Sequence, residues 1–376
     1  MKKLLSLILA LVFVLACLGG CSGVTNGPDE TEPQTETKEP ETTAPETEPP
    51  APVVVLPDYI NPLTGLAAEE DLGTKRPVAI MINNLRGALP QEGISRCEIM
   101  YECLVEGGIT RLMVVSSEYE KLGVIGSIRS CRHYYLDLAK NYDAIYVHAG
   151  GSDQGYLEIK QRGVNNLDGV NMYVPNMFYR DKERLKTMSY EHTLMTTGEK
   201  IADGIAYKKY RTELSDEFKY KTAFNFADYG SERVLEGETA TGILLPYSKY
   251  QTARFDYDAE TNSYYRYQFT DMPHVDGTSG QQISFTNILV LFCPSKVIDS
   301  YGRLDITTEN ESGEGYYIYG GKCEQISWSK PTQDSPITYY GADGSELVVN
   351  RGKTFISIFP DYNRENIQFD YVHSAE

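Results

Sequence analysis

The residues whose types and spacing could do chemistry lie between Arg76 and Gly151. Gly126-Ser127-Ile128-Arg129-Ser130-Cys131-Arg132-His133 sets two guanidinium groups and two hydroxyls just ahead of a helical pattern. Arginine forks match the two oxygens of a carboxylate or phosphate, and the first amides of a helix carry partial positive charge, so such a turn suits an anion. Arg111 follows the Gly107-Gly108 turn, and Arg76 precedes the first apolar run, which Asn83 closes. Both arginines could then lie at the edge of a sheet. Gly150-Gly151-Ser152, directly after His148, is a second candidate turn, because missing side chains let a ligand approach the backbone. His148 itself could be a base or a ligand contact. The expected ligand-binding set is therefore Arg76, Asn83, Arg111, Arg129, Ser130, Arg132, His148, Gly150 and Gly151. The bland alternatives are ion pairs from Arg129 and Arg132 to Glu106, Asp137 or Glu158, a tight Gly-Gly connection, and a hydrogen-bonded core histidine.

These residues need strands and helices to position them. Pro77-Val78-Ala79-Ile80-Met81-Ile82 is nearly continuously apolar, as in a strand covered on both faces, and Ile109 to Val115 and Ala144 to Val147 repeat that character. Tyr135, Leu138, Ala139 and Tyr142 fall at helical spacing behind Ser130, a suitable N-cap, and a second helix is expected after Ser152 with Tyr156, Leu157 and Ile159 on its apolar side. Beyond Tyr210 the texture turns to Tyr, Thr and Gly in short alternating segments such as Tyr264 to Phe269. The expected fold class is α+β or α/β. A layered α/β domain with a mixed sheet would span residues 53–229, and a smaller, mainly antiparallel β domain residues 230–376.

Residues 1–20 carry Lys2 and Lys3, an apolar run and Leu18-Gly19-Gly20-Cys21, the order of a secretory signal. A small-residue site ending on cysteine resembles the lipobox of bacterial lipoproteins, which implies lipidation at Cys21 and a membrane-anchored, exported protein. Residues 21–52 are dominated by Glu, Thr, Pro and Ala, a composition that cannot bury enough apolar surface to fold, and read as a tether. The formal charge of −18 argues against nucleic acid as a partner. Five cysteines remain in the body, Cys97, Cys103, Cys131, Cys293 and Cys323; they read as small core residues, with a Cys293–Cys323 bridge as the one pairing considered. No metal-ligand spacing, phosphate loop or nucleophile elbow occurs, so neither a metal, a cofactor nor a catalytic residue is assigned.

Asn61-Pro62-Leu63-Thr64-Gly65-Leu66, Arg76 to Asn84, Glu106 to Arg111, the Ile-Arg-Ser-x-Arg turn at 128–132 and Asp143 to Gly151 together resemble the YerB-like lipoproteins of Gram-positive bacteria. Ile326 to Lys330, the Gly341 to Glu346 turn and Asn350 to Thr354 are similar to that family's carboxyl-terminal domain, the second of two domains of unknown function. The resemblance implies an extracytoplasmic, lipid-anchored protein and carries no activity. The arginine turn then points to an anionic cell-envelope ligand: a wall precursor, a polyprenyl phosphate or a glycan. Two other readings stand beside it. Glu98, Ser127-Ile128-Arg129 and Gly150-Gly151 follow an order similar to the LytR-CpsA-Psr phosphotransferases, although Ser130 replaces their aspartate. The 29 tyrosines would also suit a protein-interaction scaffold at the wall.

Overall fold

The computed structural model describes residues 54–373, so the signal segment, Cys21 and the tether lie outside the described residues. The apolar runs become strands of one sheet. In chain order these are β1 (Val78–Asn83), β2 (Ile99–Leu104), β3 (Thr110–Ser116), β4 (Ile145–His148), β5 (Asn166–Asp168), β6 (Asn287–Cys293), β7 (Asn310–Tyr319), β8 (Lys322–Lys330) and β9 (Thr354–Pro360). They stand in the order β8-β7-β6-β9-β2-β3-β1-β4-β5, and two short strands beside β8 make the sheet eleven-stranded. Every residue of β1, β2, β3, β6 and β9 is buried, which is why their sequences lack polar alternation.

The domain boundary expected at residue 230 does not divide this sheet. β9 pairs in parallel with β2 from Thr354 opposite Ile99 to Ile358 opposite Cys103, and on its other side with β6. A strand with no polar face needs cover above and below and a neighbour on each edge. β9 finds all four by sitting between the early and late parts of the chain, so Val53–Glu376 is one compact unit.

Strands dominate and helices are few, so the layered α/β expectation holds only in part. The helices α1 (His133–Lys140) and α2 (Asp153–Gln161) cover one face of the sheet beside β1 to β4. Tyr101 of β2 points to that side, its hydroxyl 2.6 Å from that of Tyr142 just past α1. The opposite face carries an antiparallel sheet built on Gly242–Pro246, Thr252–Asp258 and Ser263–Gln268, where Phe255 and Phe285 pack on Phe355 of β9 at centroid distances of 4.8 and 5.4 Å. Ser152 caps α2 by accepting from the Gly155 amide at 3.1 Å. Ser130 does not cap α1: the helix starts at His133, behind Arg132, with no side-chain cap. All five cysteines are buried and free. Cys323 lies opposite Ile318, itself opposite Ile288 at the far end of β6 from Cys293, so register keeps the considered pair apart.

Between the layers lies a polar seam. The Arg266 and Glu102 side chains, neither exposed, meet at 2.6 Å. Glu102 also accepts from Thr110 Oγ1 at 2.5 Å and Asn84 Nδ2 at 3.1 Å. Arg266 donates to His274 Nδ1, and His274 Nε2 donates to Gln91 Oε1 at 2.9 Å. Because that amide oxygen can only accept, the imidazole is the neutral Nε2–H form. Burial first, then the Arg266 charge, push its pKa well below the ordinary value.

Arg266→Met should strand the Glu102 carboxylate in a dry interior and lower stability by about 3–5 kcal/mol, read as a lower urea midpoint. Pairing it with Glu102→Leu should recover much of that loss. Near-ultraviolet and far-ultraviolet circular dichroism should report one coincident transition, since β9 and the Arg266–Glu102 contact both join the early and late halves.

Candidate anion-binding site

Residues 127–131 are extended and laid into the sheet. The Asn83 amide donates to the Ser127 carbonyl at 2.9 Å, that of Arg129 to Met81 at 2.9 Å, and that of Cys131 to Gly150 at 2.9 Å. The expected row of free amides at a helix start is therefore absent for Arg129 and Cys131. Gly150-Gly151 is a tight connection rather than an open ligand turn. Its Gly150, at φ +73°, donates to Asp168 Oδ1 at 2.7 Å, and its carbonyl accepts from Cys131 and from His148 Nδ1 at 2.8 Å. His148 is fully buried, and its Nε2 accepts from Asn166 Nδ2 at 2.9 Å. Both ring nitrogens are engaged, so His148 is a core histidine and no ligand contact. Burial holds its pKa below the ordinary 6.5.

Arg76 is also elsewhere. It precedes Val78, which pairs with Ser116, whereas Arg111 pairs with Asn83 at the other end of β1, roughly 17 Å away. Arg76 spends its donors on the Asp143 carbonyl at 2.5 Å and Asn165 Oδ1 at 2.6 Å. Glu98 lies at that same far end, accepting from the Ser117 amide at 3.0 Å and hydroxyl at 2.6 Å. The phosphotransferase-like arrangement, which needs this carboxylate beside Arg129, is not formed.

Three guanidinium groups do come together at the carboxyl end of β1. Arg111 is 4% exposed and donates from Nη1 to the Ser130 carbonyl at 2.7 Å, with no carboxylate in salt-bridge range among the described residues. Arg132 grips Glu106 with both ends of its fork, at 2.5 and 2.8 Å. Arg129 reaches Glu191 at 2.9 Å, in a pair whose acid is 52% exposed. Burial, then the charges of Arg132 and Arg129, bring the Arg111 pKa down to about 10. Burial raises Glu106, but the Arg132 hydrogen bond and charge outweigh it and leave its pKa low. Glu191 follows the same balance with Arg129. Asn83 Nδ2 donates to His192 Nδ1 at 2.9 Å, with the amide fixed by the Leu85 amide donating to Asn83 Oδ1 at 3.1 Å. His192 is thus neutral with Nε2–H as donor, and burial lowers its pKa.

Of the nine expected binding residues, Arg111, Arg129, Arg132, Ser130 and Asn83 share this corner; Arg76, His148 and the glycines do not serve it. Glu106 was foreseen as an arginine partner. Asp137 instead pairs with Arg162 at 2.5 Å. Glu191 and His192 come from a loop more than fifty residues further along the chain, and no local pattern signals the meeting.

Comparison with known proteins bears on this body. Residues 63–211 match the N-terminal domain, and residues 243–356 the C-terminal domain, of a protein of unknown function (DUF3048). The chain belongs to this YerB-like family. A protein of Bacillus subtilis (strain 168) named "Putative lipoprotein YerB" is 28% identical over 314 residues, 81% of this chain and 88% of its own. The crystal structure of YerB from Bacillus subtilis superimposes with a TM-score of 0.70 at 25% identity, covering 82% of this chain and 98% of that one. This YerB-like chain is accordingly a member of an uncharacterised lipoprotein family. Among its described residues no helix is long and apolar enough to cross a membrane.

The three histidines His148, His192 and His274 are held neutral, below the ordinary value of 6.5. The unfolded chain takes up their protons first, so their stabilising contribution is complete above 6.5 and shrinks as pH falls toward the folded values. Thermal unfolding should show the midpoint dropping between about pH 7.5 and about pH 5. His148→Gln should flatten that slope; an unchanged slope would mean that His148 titrates normally in the fold.

Proposed function

We propose that this chain is a membrane-anchored, extracytoplasmic binding protein of a Gram-positive envelope, and that its Arg111–Arg129–Arg132 corner takes the carboxylate or phosphate of an envelope ligand. The signal pattern ending at Cys21, the tether and the lipoprotein name of the relative support the address. Arg111 carries the binding reading. It is a buried cation with one hydrogen bond, to a carbonyl, and no acid of its own, beside two more guanidinium groups that bring only two carboxylates. One positive charge remains uncompensated where desolvation makes that costly, and an arriving anion would offset it. Glu191, half exposed, is the group that a ligand displaces; the His192 Nε2–H lies beside it as a further donor. Binding is favoured over transfer chemistry because Glu106 and Glu191 are both engaged by arginine and Glu98 is at the other end of the sheet. Wall precursors, polyprenyl phosphates and anionic glycans all present such groups.

Calorimetric titration of the purified protein with pyrophosphate and with citrate should give saturable binding that weakens with salt. Arg111→Gln should lower the affinity about tenfold or more, the worth of a charge-assisted contact, while Arg211→Gln, at the far end of the sheet beside Asp143, should leave it unchanged. Equal affinity in Arg111→Gln and the parent protein would remove the basis of the proposal.

A further inference from the structure

A cavity of about 370 Å³ opens at the opposite end of the sheet, where α1 ends and the chain around Phe218 to Asn225 meets the turn before Leu347. Its size lies in the range of small-ligand sites. Five aromatic side chains from three separate stretches bound it: Tyr142, Phe218, Tyr220, Phe224 and Tyr339. Tyr142, Phe224 and Tyr339 are buried, whereas Tyr220 stands 72% exposed at the rim. The polar lining includes Asn225, Glu217, Glu346 and Lys221, so its charged groups are two acids against one base. That balance is opposite in sign to the arginine corner and disfavours an anion.

The backbone at the rim is unusual. Tyr220 sits at φ +58°, a left-handed conformation that costs a bulky residue about 1–3 kcal/mol. Its amide is held by the Gly73 carbonyl at 2.7 Å, and a β-carbon on Gly73 would come within 2.6 Å of the Tyr220 ring. The fold therefore carries local strain, and leaves a glycine bare, at the point where an aromatic ring is presented to solvent beside a hollow. Flat rings edged by amides and carboxylates are complementary to a sugar. The axial C–H groups of a pyranose lie on an aromatic face while its hydroxyls bond to carboxylate and amide groups.

We propose that this cavity is a carbohydrate subsite for an uncharged pyranose ring, with Tyr220 as the stacking platform and Glu346 and Asn225 as hydroxyl partners. It is separate from the arginine corner and does not rest on the anion reading. Saturation-transfer difference spectra and calorimetry of the purified protein should be recorded with three probes: the β-1,4-linked tetramer of N-acetylglucosamine, cellotetraose and maltotetraose. At least one should bind, and excess pyrophosphate should not displace it. Tyr220→Ala should weaken that binding by about tenfold, and Glu346→Gln should weaken it independently. Both positions are exposed, so neither change should lower the thermal midpoint. Failure of all three sugars to bind, displacement by pyrophosphate, or parent-like affinity in both variants would overturn the proposal.

Discussion

Arg266 and Glu102 meet in the interior with neither exposed, and the geometry of the arginine corner depends on that contact. Taking each ion out of water costs several kcal/mol, which only close pairing and further hydrogen bonds can offset. Thr110 and Asn84 both donate to Glu102 Oε1, and the second terminal nitrogen of Arg266 is spent on His274. From His274 the network passes to Gln91, whose amide nitrogen donates to the Asn83 carbonyl at 2.9 Å. Asn83 then orients His192, the neighbour of Glu191. A polar path thus runs from the seam between the two sheets to the surface corner, so loosening the seam should disorder the site.

The strands were legible where burial alone decides the sequence. Val78 to Asn83 and Thr110 to Ser116 read as two-sided strands because both faces are covered in the fold. The grouping of Arg111, Arg129 and Arg132 was also legible, since all three sit at the carboxyl end of β1 or on the crossing beside it. Pairing between distant segments was not. Nothing in Thr354 to Pro360 says that its neighbour is Ile99 to Leu104, because parallel register depends on apolar surfaces that any buried strand shares. The role of Ser127 to Cys131 was misjudged for a related reason. A hydroxyl before a helical pattern suggests a cap, yet here the extended backbone has a stronger alternative in the end of β1 that β4 leaves unpaired, Met81 to Asn83, and in the Gly-Gly turn. Arg76 and His148 look functional in sequence and are structural in space, each with its donors and acceptors already used by backbone and amide groups.

The two ends of the sheet carry opposite chemistry. At the carboxyl end of β1, three guanidinium groups outnumber their acids; at the other end, aromatic rings and two glutamates surround a hollow. A ligand with an anionic group and an uncharged sugar, such as a long glycan, could touch both only by lying along the molecule. As proposed, the two sites otherwise take separate partners.

The central claim is that Arg111 is a cation awaiting an anion. Crystals of the protein soaked in selenate test it directly through the anomalous signal of selenium. The account predicts a peak within hydrogen-bonding distance of the Arg111 guanidinium, with Glu191 turned away from Arg129. Selenate bound only at other arginines, with Arg111 and the Arg129–Glu191 pair unmoved, would contradict it.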